Sequence, residues 1–166
     1  TNPTKWDFKT ALQWVDKLQM FNTFWLEEPF IPTDAHAYAR LRDKSNISIA
    51  GGEALNQLLE FNLYKHVHAV DIIQPDVTNS GGIRDCAAIV NIFGKQNTAM
   101  HVWGSQVAIN ANKHFAKAFD VSYLEVPMME LEINDEIQSD NIGIGIHITD
   151  KVKSKYKLNT KKNFKI

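Results

Sequence analysis

The chain of 166 residues suits a single domain, since one hydrophobic core commonly serves about 100–200 residues. With 44% hydrophobic and 22% charged residues the composition is globular, which excludes a disordered chain and a fibrous repeat. The formal net charge of −1 gives no overall attraction to nucleic acid or an anionic membrane, although seven of the 18 basic residues lie beyond position 150 with no acid among them.

Short apolar runs ending in polar or glycine-rich patches alternate with stretches of helical spacing, the pattern of β followed by α. In chain order the spacing predicts a helix over 6–21, with Ala11, Leu12, Trp14, Val15 and Leu18 on one stripe, and a strand over 23–26. A helix over 34–42 follows, with Thr33-Asp34 after Pro32 as its oxygen cap. Next come a strand over 47–50, a helix over 54–65, a strand over 69–73 and a helix over 81–93. Asn79-Ser80 before Gly81-Gly82 predicts a second oxygen cap, with backbone N–H groups left open to an anion. A strand over 98–102, a helix over 106–119 and a strand over 122–126 complete the alternation. Beyond it, residues 128–140 read as acidic and irregular, 143–146 as a short extended segment, and 149–155 as a short helix.

Cys86 is the single cysteine, so neither an intrachain disulfide nor a cysteine-based zinc cluster is expected, and a reducing, cytoplasmic setting is the simplest. No apolar run approaches the roughly 20 residues that span a bilayer, and the polar start Thr1-Asn2-Pro3-Thr4-Lys5 does not read as a leader. No membrane and no nucleic acid is expected as a partner: the lysine-rich end carries only Tyr156 and Phe164 as interleaved aromatics.

Ionisable residues recur at the predicted strand ends. The intervals are 26 residues from Glu27 to Glu53, 23 to Asp76, 25 to His101 and 24 to Glu125. A period of about 25 made of one strand and one helix is that of a (β/α) barrel, and the leucine-rich-repeat signature that shares the period is absent. In parallel α/β folds, groups just past the carboxyl ends of strands share one face, so all five residues are expected at one mouth. Read from spacing alone, Glu27 and Glu53 fit either solvated strand-end acids or ligands of a hard cation, Mg²⁺ in particular. Asp76 and His101 fit either a packed, satisfied histidine or a dyad in which Asp76 fixes the tautomer and His101 is a general base. His66 and His68 precede a strand and belong to the opposite end. His36, His114 and His147 read as surface or packing residues, as do Trp6 and Trp14, while Trp103 beside His101 is a candidate pocket residue.

Trp-Leu-Glu-Glu-Pro at 25–29, Gly-Gly-Glu at 51–53, Gln-Pro-Asp with Gly81-Gly82-Ile83 at 74–83, and His-Val-Trp-Gly-Ser at 101–105 together resemble the enolase superfamily. The likeness is to its mandelate-racemase-type acid-sugar dehydratases. The resemblance implies an α/β fold, a partial (β/α)8 TIM-type barrel of about strands four to eight without the N-terminal capping domain. It implies two parts, a partial barrel over 1–127 and a C-terminal segment over 128–166 that in the family returns to the cap. Glu27 and Glu53 would be metal ligands, Asp76 and His101 the catalytic dyad, and Glu125 the hydrogen-bonding partner of the substrate carboxylate. The cofactor would be Mg²⁺ and the substrate a small carboxylate or sugar acid.

The implied reaction is removal of the proton α to a carboxylate by His101, giving an enediolate, followed by β-elimination of water. The parent would be a hydro-lyase, or an isomerase if it is a racemase, epimerase or sugar-lactone cycloisomerase. The family's third metal ligand, an aspartate, falls at or just upstream of Thr1, and the second-strand Lys-x-Lys and the cap fall before it. A chain without them is expected to be incomplete and inactive alone, the alternative being a catalytically dead barrel that serves only as a binding module. Five strands leave open sheet edges, so self-association into a homo-oligomer is expected.

Overall fold

The computed structural model describes residues 6–127, 143–145, 150 and 154. Helix α1 (Phe8–Leu18) starts when the Asp7 carboxylate accepts from the Thr10 N–H at 2.7 Å, and it runs into a 3-10 turn over Gln19–Phe21. Strand β1 (Trp25–Glu27) follows, stopped by Pro29 and by Glu28 at φ +39°. Helix α2 (Ala35–Arg42) is capped by Asp34, which accepts from the Ala37 N–H at 3.0 Å, as its sequence predicts. Then come β2 (Ser48–Gly51), α3 (Leu58–His66), β3 (Ile72–Ile73), α4 (Gly82–Phe93), β4 (Ala99–Met100), α5 (Gln106–Phe119) and β5 (Tyr123–Leu124).

All five predicted strands and all five helices are present, with tighter limits. Helix α3 begins four residues later than expected, because the Glu60 carboxylate accepts from the N–H groups of Asn56 and Gln57 and fixes the start there. The predicted cap of α4 does not form. Gly81 caps that helix, at φ +77° and followed by Gly82 at +83°, a backbone that glycine adopts without strain. Asn79 and Ser80 are used elsewhere: Asn79 Nδ2 donates to the Glu53 carbonyl at 3.0 Å and Ser80 Oγ to the Leu55 carbonyl at 3.2 Å. Gly143 and Ile144 form a turn rather than an extended segment, and both glycines flanking Ile144 have positive φ. Asp150 and Ser154 are helical, while the rest of 146–155, His147, the acidic stretch at 128–140 and the lysine-rich end lie outside the described residues.

The strands are parallel and neighbours in chain order. Leu26 pairs with Ile49, Ala50 with Ile72 and Ala99 with Tyr123, and an Ile73–Thr98 bridge joins the two ladders. Sequential order with crossover helices is the topology of a barrel wall. Side chains alternate accordingly. Leu26, Ile49 and Ile73 pack against α1 to α4 with Ala11, Val15, Tyr38, Leu41, Phe61 and Ile89. Met100 packs with Val90 and Phe115 of α4 and α5. The other face carries Ala50, Ile72 and Ala99 with Trp25 against them, so the wall is covered on both sides, as parallel strands require.

Strands β1 and β5 share no ladder, yet their rings meet across the gap: Tyr123 lies 5.5 Å from Phe24 and 5.7 Å from Trp25, centroid to centroid. Phe21 and Phe24 nevertheless stay largely exposed. Trp6 and Trp14 stack at 5.7 Å, the packing role their spacing implies. Among the described residues no helix is long and apolar enough to cross a membrane.

Two buried tyrosines tie the β1–α2 loop to the core. Tyr38 Oη donates to the Phe30 carbonyl and Tyr64 Oη to the Pro32 carbonyl, each at 2.8 Å. Tyr38→Phe should cost about 1–2 kcal/mol by leaving the Phe30 carbonyl without its donor. Ile49→Ala, which opens a cavity between sheet and helices, should cost about 2–5 kcal/mol. Urea unfolding midpoints of the two variants against wild type check both the sign and the order.

Candidate active site

Parallel strands end on the same side, and backbone pairing continues past each strand to hold the residues that follow. The Glu28 N–H donates to the Ala50 carbonyl, Gln74 to Gly51, His101 to Pro75 and Glu125 to Met100, at 2.9–3.0 Å. Glu27, Glu53, Asp76, His101 and Glu125 therefore stand on one rim, where spacing placed them.

At its centre is a relay. His101 Nε2 lies 3.3 Å from Glu53 Oε2, and His101 Nδ1 lies 3.3 Å from Asp76 Oδ2. The other Asp76 oxygen, Oδ1, accepts from the Thr78 N–H at 2.8 Å, the Thr78 hydroxyl at 2.7 Å and Asn112 Nδ2 at 2.8 Å. Asn112 comes from α5, wholly buried, and its own Oδ1 accepts from the Val77 N–H at 3.1 Å. Burial alone would raise the Asp76 pKa, but the hydrogen bonds from His101, Asn112 and Thr78 outweigh it and bring the group down to about 2. For His101 burial works toward the neutral ring. The Asp76 hydrogen bond and the charges of Glu53, Glu125 and Asp76 prevail and raise its pKa.

The acids around the relay crowd one another. Of the Glu27-Glu28 pair, Glu28 is buried behind the rim, with Oε1 accepting from the Gly52 N–H at 3.4 Å. Glu27 faces the rim, and its Oε2 accepts from Gln74 Nε2 at 2.8 Å. Burial raises the Glu53 pKa, His101 lowers it, and Glu28, Glu27 and Glu125 add to the rise. The Glu125 pKa is likewise raised by burial and by Glu27, against the opposing effect of His101. Glu125 Oε2 is buried with no hydrogen-bond partner among the described residues. Glu53, His101 and Glu125 each offer a ligand atom, all within 4.8 Å of one another. Clustered carboxylate oxygens with one buried lone oxygen suit a hard divalent cation, which would offset the burial and mutual repulsion that raise these pKa values. This trio sets Glu125 and His101 beside Glu53, while Glu27 adjoins it electrostatically and is engaged by Gln74.

Trp103 stands beside the rim with 66% of its surface exposed, on a loop that turns at Gly104, φ +126°. His68 lies at the other end of the strands, in a cleft of about 270 Å³ with Ser48 and Asp71. His36 is exposed and His114 half-buried. Sequence reasoning missed Thr78, Asn112 and Gln74. Asn112 sits on an otherwise ordinary amphipathic helix, whereas Gln74 carried a signal, a polar residue adjoining a buried strand.

The family model described as enolase C-terminal domain-like matches residues 3–150, and the chain belongs to that family. The fold is thus the barrel-type domain of the enolase superfamily, in part. D-galactarolactone cycloisomerase of Agrobacterium fabrum is 34% identical over 124 residues, which are 70% of this chain and 32% of that protein. The crystal structure of L-talarate/galactarate dehydratase from Salmonella typhimurium superimposes with a TM-score of 0.75 at 25% identity, covering 90% of this chain and 40% of the enzyme. A racemase from Streptomyces coelicolor, solved with bound magnesium, gives 0.66 at 26% identity, over 79% of this chain and 39% of that one. The chain thus spans about a third to two fifths of the length of these relatives.

Asp76 is held ionised by three donor groups besides His101, so its contribution to stability is present above its ordinary pKa and fades as pH falls toward 2. Asp76→Asn should lower stability by about 2 kcal/mol at pH 7, with wild type and variant converging between about pH 4 and pH 2. Urea midpoints measured across that range check the convergence.

Proposed function

We propose that this chain carries the proton-transfer half of a Mg²⁺-dependent acid-sugar dehydratase, a hydro-lyase acting on a carboxylate substrate with a hydroxyl at the β-carbon. The observation that carries the reading is the Glu53–His101–Asp76 relay on the carboxyl rim of parallel strands, with Glu27 and Glu125 beside it. Kinship with a talarate/galactarate dehydratase supports the substrate class.

A proton α to a carboxylate is weakly acidic because its loss places a second negative charge on the same group. With Nδ1 tied to Asp76, neutral His101 presents the Nε2 lone pair to the rim and takes that proton there. The buried Asp76 keeps the imidazolium in place and balances its charge. The proton on Nε2 then goes to the departing β-hydroxyl, which leaves as water as the carbon–carbon double bond forms. Glu27 and Glu53 would hold Mg²⁺, and Glu125, whose buried Oε2 has no partner among the described residues, would hydrogen-bond the substrate carboxylate. Mg²⁺, when bound, supplies positive charge where the enediolate's negative charge develops.

Identity of 34% to a cycloisomerase favours a second reading, in which the same base removes the same kind of proton and no water is lost. Product analysis separates the two. In the protein with Mg²⁺ and a panel of sugar acids in D₂O, His101→Asn should lower α-proton exchange by about 10²–10⁴-fold. Exchange at the wild-type rate would remove His101 from the role of base.

A further inference from the structure

Gln74 follows β3 directly and is wholly buried, with its backbone N–H on the Gly51 carbonyl at 3.0 Å. Its side chain crosses β2 to reach Glu27, 47 residues away in sequence. The crossing is open because the end of β2 and the residue after it read Ala50-Gly51-Gly52, which offers no side chain longer than a methyl. A carboxylate accepts and does not donate, so Glu27 fixes the amide: Nε2 toward Oε2, Oε1 away. That leaves Gln74 Oε1 buried with no partner among the described residues. For the fold alone this is a poor arrangement, since an apolar side chain of the same size would leave no acceptor unsatisfied.

We infer that Gln74 is a positioning residue for the cation site: its amide holds Glu27 Oε2 so that the other carboxylate oxygen is turned to the metal. Its free Oε1 is an acceptor for a hydrogen-bond donor brought with the ligand, a coordinated water or a substrate hydroxyl. The inference rests on the cation-binding reading of the rim. It goes beyond that reading by assigning part of the metal affinity to a residue that touches neither metal nor substrate through its donor. Partners of this kind commonly contribute ten- to a hundredfold in metal affinity, because they remove the rotamer freedom that a lone carboxylate must lose on binding.

Mg²⁺ titration by calorimetry on the protein and on Gln74→Met and Gln74→Asn tests it, with cation-free thermal midpoints measured alongside. Met removes the amide at similar volume, and Asn keeps the amide but is too short to reach Glu27. Both variants should bind Mg²⁺ ten- to a hundredfold more weakly, with the cation-free midpoint of Gln74→Met unchanged or raised. Affinity within twofold of wild type in either folded variant would overturn the role. A second arm stands apart from the metal: the Gln74 side-chain amide resonances of ¹⁵N-labelled protein should shift in Glu27→Ala, and their constancy would refute the bridge itself. Absence of saturable Mg²⁺ binding by the unsubstituted protein would overturn the cation reading and this inference together, a result separable from a strong site that ignores Gln74.

Discussion

Everything at the rim depends on backbone pairing that continues beyond the strands. Four of the five strands have only two or three residues, and side chains alone would not fix where Glu27, Asp76, His101 and Glu125 stand. The N–H groups of Glu28, Gln74, His101 and Glu125 each donate to the neighbouring strand, so the register of the sheet becomes the register of the site. A slip of one residue would turn every one of these side chains from the lumen to the helical face. The apolar alternation resists that slip. In β2, Ile49 belongs to the helix-facing core while Ala50 belongs to the lumen, and exchanging them would put a large group where a small one is needed.

Electrostatics completes what register begins. One oxygen of Asp76 is saturated by Thr78 and Asn112, which leaves the other free to face His101. The carboxylate is thereby held in one orientation and one charge state, and the imidazole inherits both. Around this fixed pair stand acids whose pKa values rise through burial and through each other. Such a cluster is costly to fold without a cation to neutralise it, the kind of cost common at functional sites.

Much of this was legible in the sequence. The near-constant interval between ionisable residues marks the barrel unit, and the strand-end rule places all five on one face. Boundaries were less legible, because they rest on particular atoms: Glu60 reaching back to Gln57 sets the start of α3, and the conformation of Gly81 displaces the expected Asn79-Ser80 cap of α4. Least legible were Asn112 and Gln74, which meet Asp76 and Glu27 across 36 and 47 residues. No local pattern encodes such contacts. They follow from which helix face and which strand face the completed wall brings together.

Asn79 and Ser80, freed from capping, stitch the loop after β3 to the loop after β2 through the carbonyls of Glu53 and Leu55. Two of the site's loops are thus cross-tied and must travel as one body. Parting Glu53 from Asp76 would break those ties, which hold both neighbours of His101 in place.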